Sequence, residues 1–171
     1  GDKSFYWKNI YDADANVFDV FTHDIIYGDP KTALDDPSSV AVSESFAQKY
    51  FGNKIPIGET ISNDVGKSFK ITLVFADLPD NSHLKYDALF SIKKNEWANT
   101  DNVTVRNQLL YSMAVYTYIL LPEGYNDQAF KNISDSFFTK HMAEVGNFIN
   151  ATWRCWLQPL ADIHFQSEVA Y

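Results

Sequence analysis

The clearest pattern in the chain runs from Ser68 to Ala76, where Phe69, Ile71, Leu73 and Phe75 recur at every second position. Successive side chains of a strand point to opposite faces, so this period predicts a strand with one apolar face. Thr60 to Ser62 precedes it across the turn sequence Asn63-Asp64-Val65-Gly66, and the two strands are expected to pair as a hairpin. Phe5 to Tyr11, Ile25 to Tyr27 (stopped by Gly28), Val40 to Val42, Leu84 to Ile92, Ser112 to Leu121 and Thr152 to Leu157 also read as strands.

Helical spacing appears in three places. Val17, Phe18, Val20 and Phe21 follow Asp14, which can cap a short helix. Phe46, Ala47 and Tyr50 share a face behind Ser43 as N-cap and before Gly52 as stop. From Asn126 or Asp127 to about Val145, Ala129, Phe130, Ile133 and Phe137 form an inner face, with Gly146 as the stop. Asp29-Pro30 reads as the start of a helical turn, and Asp36-Pro37-Ser38, Leu78 to Ser82 and Pro122 to Gly124 as turns or loops. Lys93 to Gln108 reads as loop or short helix. Interleaved strands and helices with hairpins between them give an α+β class.

Composition narrows the function classes. The 171 residues fit one domain, or one domain split into two lobes. The 13 Phe, 10 Tyr and 4 Trp supply enough ring area for a real core at this length. A formal net charge of -8 repels phosphate backbones and anionic lipid, which argues against nucleic acid as a partner. The lone Cys155 cannot form an internal disulfide, and its neighbours Trp153, Trp156 and Leu157 suggest a buried structural thiol. Gly1 to Trp7 has no apolar run of the signal-peptide kind. The stretch between Arg106 and Glu123 falls short of the roughly 18 apolar residues of a spanning helix.

A search for chemistry yields little. His141 and Glu144 lie three apart on a predicted helix, but two ligands without a third make a weak metal site. His23-Asp24 is accounted for by a polar turn. Gly52 to Thr60 superficially resembles a phosphate loop, yet Glu59 stands where the phosphate-binding lysine belongs. Ser43 and Ser45 lack the glycine-flanked turn of a hydrolase nucleophile. Asp35, Asp36, Asp77, Asp80, Asp87 and Asp162 are read as solvated carboxylates, since a glycosidase pair is defined by distance across a cleft. The sequons at Asn102, Asn132 and Asn150 are short enough to occur by chance. No catalytic, cofactor-binding or metal residue is assigned, and no cofactor is expected.

Eight stretches, taken in order, carry a family resemblance: Tyr11 to Phe21, Gly28 to Leu34, Asp36 to Val42, Ala47 to Gly52, Pro56 to Gly58, Asp77 to Leu84, Tyr116 to Gly124 and Leu157 to His164. Together they resemble the MacB-like periplasmic core domain of FtsX-type ABC transporter permeases, in the form typical of Bacteroidetes, over about Ser4 to Ser167. The resemblance implies an α+β fold with a porter-like lobe, residues 1–43 plus 112–171, and a smaller β-rich lobe, residues 44–111, inserted into it. It implies one membrane helix before this domain and three after it. It also implies that a segment usually found before Ser4, with an early strand and helix, is missing, and that glycine is common at the position of Leu73, before the Val74-Phe75-Ala76-Asp77 run; a glycine there suggests a bulge, and leucine a straighter, better-packed strand. The implied role is the periplasmic domain of a bacterial inner-membrane permease. Such a domain transmits ATP-driven motion to export or release a substrate. Its partners would be a cytoplasmic ABC ATPase and a second permease subunit, as homodimer or heterodimer. A periplasmic adaptor or lipoprotein is left open, as is the substrate. The chain itself would not be an enzyme. A stand-alone secreted or periplasmic binding or sensor module is the alternative, and a secreted hydrolase a more distant one.

Overall fold

A computed structural model describes residues 6–92, 116–152 and 155–163. Among these residues six strands form one mixed sheet: β1 (Ile10–Ala13), β2 (Ile25–Gly28), β3 (Ser39–Ser43), β4 (Thr60–Ser62), β5 (Ser68–Phe75) and β6 (Ala88–Ser91). The order is β1-β6-β3-β5-β2, with β4 also on β5. β1 runs parallel to β6 and β3 parallel to β5, while β6 is antiparallel to β3 and β2 antiparallel to β5. Parallel neighbours need a crossover. Between β3 and β5 it is supplied by α2 (Glu44–Phe51) and then β4. The ladders join strands from residues 1–43 to strands from residues 44–111, so hydrogen bonding crosses the boundary between the two expected lobes. The α+β class is as expected.

β3 is central and wholly buried, from Ser39 to Ser43. A strand covered on both faces is apolar or small throughout rather than alternating. On one face Val40 and Val42 meet Phe46 and Ala47 of α2, with Phe69, Ile71, Val74 and Ala88. On the other Ala41 meets Ala33, Leu34, Leu73, Phe75, Tyr86 and Leu89, with Val17 and Phe18 of α1 (Val17–Val20) against them. Each fully buried side chain of this kind contributes roughly 1.5–3 kcal/mol.

The alternation along β5 does not hold through its length. Val40 pairs with Ile71 but Ala41 pairs with Leu73, so Thr72 is an extra residue, a β-bulge. Phe69 and Ile71 therefore face one core, Leu73 and Phe75 the other. The straighter strand expected from leucine in place of glycine at position 73 is corrected: a bulge lies immediately before Leu73. Thr72 Oγ1 fixes it by donating to the carbonyls of Ala33 (2.6 Å) and Val40 (3.2 Å). Opposite, Gly28 has φ 95°, and a Cβ there would sit 2.3 Å from the Thr72 carbonyl oxygen. Only glycine tolerates both that φ and that approach.

The caps of α2 match expectation. Ser43 accepts from the Phe46 N–H at 3.2 Å, and Gly52 closes the helix at φ 63°. Other elements move. The first strand begins at Ile10, leaving Tyr6 to Asn9 outside it (Phe5 lies outside the described residues), and Trp7 instead packs tilted on Phe46 and stacks on Tyr50, with the Lys49 ammonium 4.6 Å above its ring. Helix α1 starts behind Asn16, and Asp14 contributes its backbone carbonyl rather than its side chain. After Asp29-Pro30 the chain makes turns without continuing as a helix.

The chain divides into two compact units, Gly1–Ile119 and Leu120–Tyr171. In the second, α3 (Asp127–His141) begins with the Asn126 side chain accepting from the Gln128 N–H at 2.8 Å. It breaks at Met142, and α4 (Ala143–Ile149) follows. Gly146 lies inside α4; the stop is Asn150, left-handed at φ 53°. The inward stripe is Phe130, Ser134, Phe138, Met142 and Gly146, spaced by four. Ile133 and Phe137, expected inside, are 59% and 46% exposed. Two expected strands are not formed among the described residues. Tyr116 to Leu121 has no ladder (Ser112 to Val115 lie outside them). Around Cys155 the N–H goes to Ser134 Oγ at 3.1 Å instead of to a neighbouring strand. Residues 93–108 of the expected loop also lie outside the described residues.

Candidate functional site

Three polar arrangements stand out in the sheet unit. The first lies where β5 ends beside the N-terminus of α2. Asp77 Oδ1 accepts from the Ser45 N–H at 3.0 Å, and Oδ2 accepts from the Ser45 hydroxyl. Partial burial acts to raise the Asp77 carboxyl, but the hydrogen bonds from Ser45 and Ser43 outweigh it and hold the group below its ordinary value. The carboxylate caps the Ser45 N–H in the first turn of the helix, where the macrodipole favours negative charge. Both serines are thereby occupied as capping donors and acceptors. Among the described residues neither is hydrogen-bonded to a histidine that could take its proton.

The second arrangement joins the connector after α1 to the loop before β6. His23 Nδ1 lies 2.9 Å from the Phe21 carbonyl, and its Nε2 bonds the Tyr86 hydroxyl. The ring is enclosed edge-on by Phe18 (5.1 Å) and Phe75 (5.6 Å). Burial pushes His23 below its usual 6.5, against the Phe21 carbonyl and the Asp24 charge, which act to raise it. Burial also pushes the Tyr86 phenol well above its ordinary value, with Tyr118 adding to the effect. From the same loop, His83 Nε2 lies 2.8 Å from the hydroxyl of Tyr118, which belongs to the segment ending at Ile119. Tyr118 also meets the edge of Phe21 at 4.9 Å.

The third is the glycine-flanked stretch before β4. Lys54 Nζ binds Glu59 Oε1 at 2.7 Å on the surface, and the Gly58 N–H goes to the Ile71 carbonyl. The lysine charge is thus neutralised by the glutamate, and the loop serves the hairpin rather than a phosphate.

The residues weighed from sequence do not converge. His141 ends α3 and Glu144 lies beyond the break at Met142. Among the described residues no group of three or more His, Cys, Asp or Glu could hold a metal ion. Asp36 accepts from the Ser38 N–H at 2.7 Å, a turn role, and Asp87 contributes backbone groups to Ser43 and Asn9. Asp162 ends a short 3-10 turn (Leu160–Asp162), and His164 lies outside the described residues, as does Asn102. Cys155 is exposed, which corrects the buried thiol expected from its apolar neighbours. The His23–Tyr86, His83–Tyr118 and Asp77–Ser45 ties escaped sequence reasoning because their members are 63, 35 and 32 residues apart. No helix among the described residues is long and apolar enough to cross a membrane.

The model of the MacB-like periplasmic core domain matches residues 2–134. Two solved structures share the fold. A domain assigned to a permease protein from Porphyromonas gingivalis superposes with a TM-score of 0.53 at 22% identity, over 77% of this chain and 58% of that one. The periplasmic region of MacB from Actinobacillus actinomycetemcomitans superposes with a TM-score of 0.51 at 17% identity, over 90% of this chain and 70% of that one. The chain thus spans little more than half of the first of these. A comparison with curated proteins finds no match.

Proposed function

This chain belongs to the MacB-like periplasmic core domain family, and on that premise we propose that it is the periplasmic domain of an ABC transporter permease in a bacterial inner membrane. It passes conformational change driven by a cytoplasmic ATPase to the far side of the membrane, for export or release of a substrate. The observation that carries this reading is the family match over residues 2–134. The geometry supports it: side chains that looked chemical in sequence are spent on capping, turn closure and ties between segments. A domain that transmits motion needs elements tied firmly to each other more than it needs a reactive cleft. ATP hydrolysis belongs to the separate ATPase, and a second permease subunit completes the assembly.

The exposed Cys155 offers a direct test. In a full-length protein whose other cysteines are replaced by serine, a membrane-impermeant maleimide should label Cys155 in spheroplasts with intact inner membranes. Labelling only after lysis would place the domain on the cytoplasmic side and overturn the proposal.

A further inference from the structure

We propose that His23 is an acid-released latch: while its Nε2 is unprotonated it holds the connector after α1 against the loop before β6, and so keeps Phe21 packed on Tyr118. A carbonyl can only accept, so the 2.9 Å contact to Phe21 requires the proton on Nδ1. In the neutral ring Nε2 is then the acceptor, and the Tyr86 hydroxyl donates to it. Three residues before Tyr86 on the same loop, His83 holds the Tyr118 hydroxyl at 2.8 Å. Phe21, whose carbonyl His23 binds, lies edge-on to the Tyr118 ring at 4.9 Å and 80°. One loop therefore grips both the connector and the segment that ends at Ile119, where the sheet unit stops.

Protonating Nε2 turns the Tyr86 hydroxyl from donor to acceptor and puts a cation beside the Phe18, Phe75 and Tyr86 rings. The groups facing His23 are Asp24 beside it, which favours the cation, and Tyr86 from the loop, with Tyr118 acting on that phenol. α1 and β5 present the Phe18 and Phe75 rings. Burial is the largest of these influences and opposes the charge. Once charged, the imidazolium gains by turning to water. Its Nδ1–H bond to the Phe21 carbonyl is strengthened by the charge, so the connector moves with it. Phe21 then leaves Tyr118, and the segment leading to the second unit is freed.

NMR on the chain reads this directly. The nuclear Overhauser contact between the Phe21 and Tyr118 rings should be present at neutral pH and lost on acidification, with a midpoint equal to that of the His23 imidazole shifts and below 6.5. The contact between Phe69 and Phe90, whose rings lie 4.4 Å apart in the core, should persist throughout. In His23→Gln the amide oxygen replaces the Nε2 acceptor and gains no proton, so the Phe21–Tyr118 contact should survive acid. The unaltered chain supplies the midpoint comparison even where that variant folds poorly. The proposal is overturned by a contact that persists with His23 protonated, or by loss with the midpoint of His83. Unchanged acid loss in His23→Gln, or simultaneous loss of the Phe69–Phe90 contact, overturns it as well.

Discussion

Replacing Gly28 by alanine tests the packing of the sheet where the backbone of β2 comes close to that of β5. The new methyl would sit 2.3 Å from the Thr72 carbonyl oxygen and 3.0 Å from the Leu73 Cα. Both obstacles are backbone of β5, held from the other side by β3 and by the Thr72 hydroxyl, so neither yields cheaply. The left-handed φ of 95° adds about 1–2 kcal/mol for an L-residue. Forcing a methyl into a packed site costs about 1–3 kcal/mol. The sum, roughly 2–5 kcal/mol, is large against a stability of about 5–15 kcal/mol. At about 2–4 °C per kcal/mol for a chain of this size, Tm falls by roughly 10 °C. Gly66→Ala is the control, because its φ of 80° carries conformational strain but no atom lies within 4 Å of the added methyl. Urea unfolding followed by circular dichroism, with the midpoint compared at constant slope, separates the two. A Gly28→Ala loss no larger than that of Gly66→Ala would refute the close approach of β2 to the bulge.

Phe46→Ala, which empties the α2 side of the core, should cost about 3–5 kcal/mol in the same assay. Asp77→Ala should cost about 1 kcal/mol through loss of the cap. Because the folded Asp77 carboxyl lies below its ordinary 3.8, its contribution is present above that value and lost as pH falls through the folded pKa. The variant should lack that part of the acid limb. His23 lies below 6.5 when folded, so the unfolded chain binds the extra proton and stability declines as pH falls from 6.5 toward the folded value. His23→Gln should flatten that slope. The thiol of Cys155 should react with a disulfide reagent without denaturant, at a rate that unfolding hardly changes.

Local chemistry was legible in the sequence, and long-range partnership was not. Ser43, Gly52 and the hairpin turn at Asn63 to Gly66 were readable because a cap or turn is settled by neighbours within a few residues. The bulge at Thr72 was not, because it depends on Gly28 and β3 offering space and acceptors from distant positions. Spacing along α3 placed Ile133 and Phe137 inside, whereas the buried line falls one residue later, on Ser134 and Phe138. Apolar content could not show that Ser134 is the residue drawn inward, to receive the Cys155 N–H. The same segment misled the strand reading, since β-branched and aromatic residues near Thr152 to Leu157 favour strands only where a ladder partner exists. The candidate site was the least legible part. The Asp77–Ser45, His23–Tyr86 and His83–Tyr118 ties each join one ordinary polar residue to another more than 30 residues away.

The central claim, that this is the periplasmic domain of an ABC-type permease, is tested most directly by the intact coding sequence. The hydropathy of the segments before Gly1 and after Tyr171 should show one spanning helix upstream and three downstream. A chain with only a cleavable signal peptide before Gly1 and no spanning segment after Tyr171 would contradict the account and leave a secreted binding protein in its place.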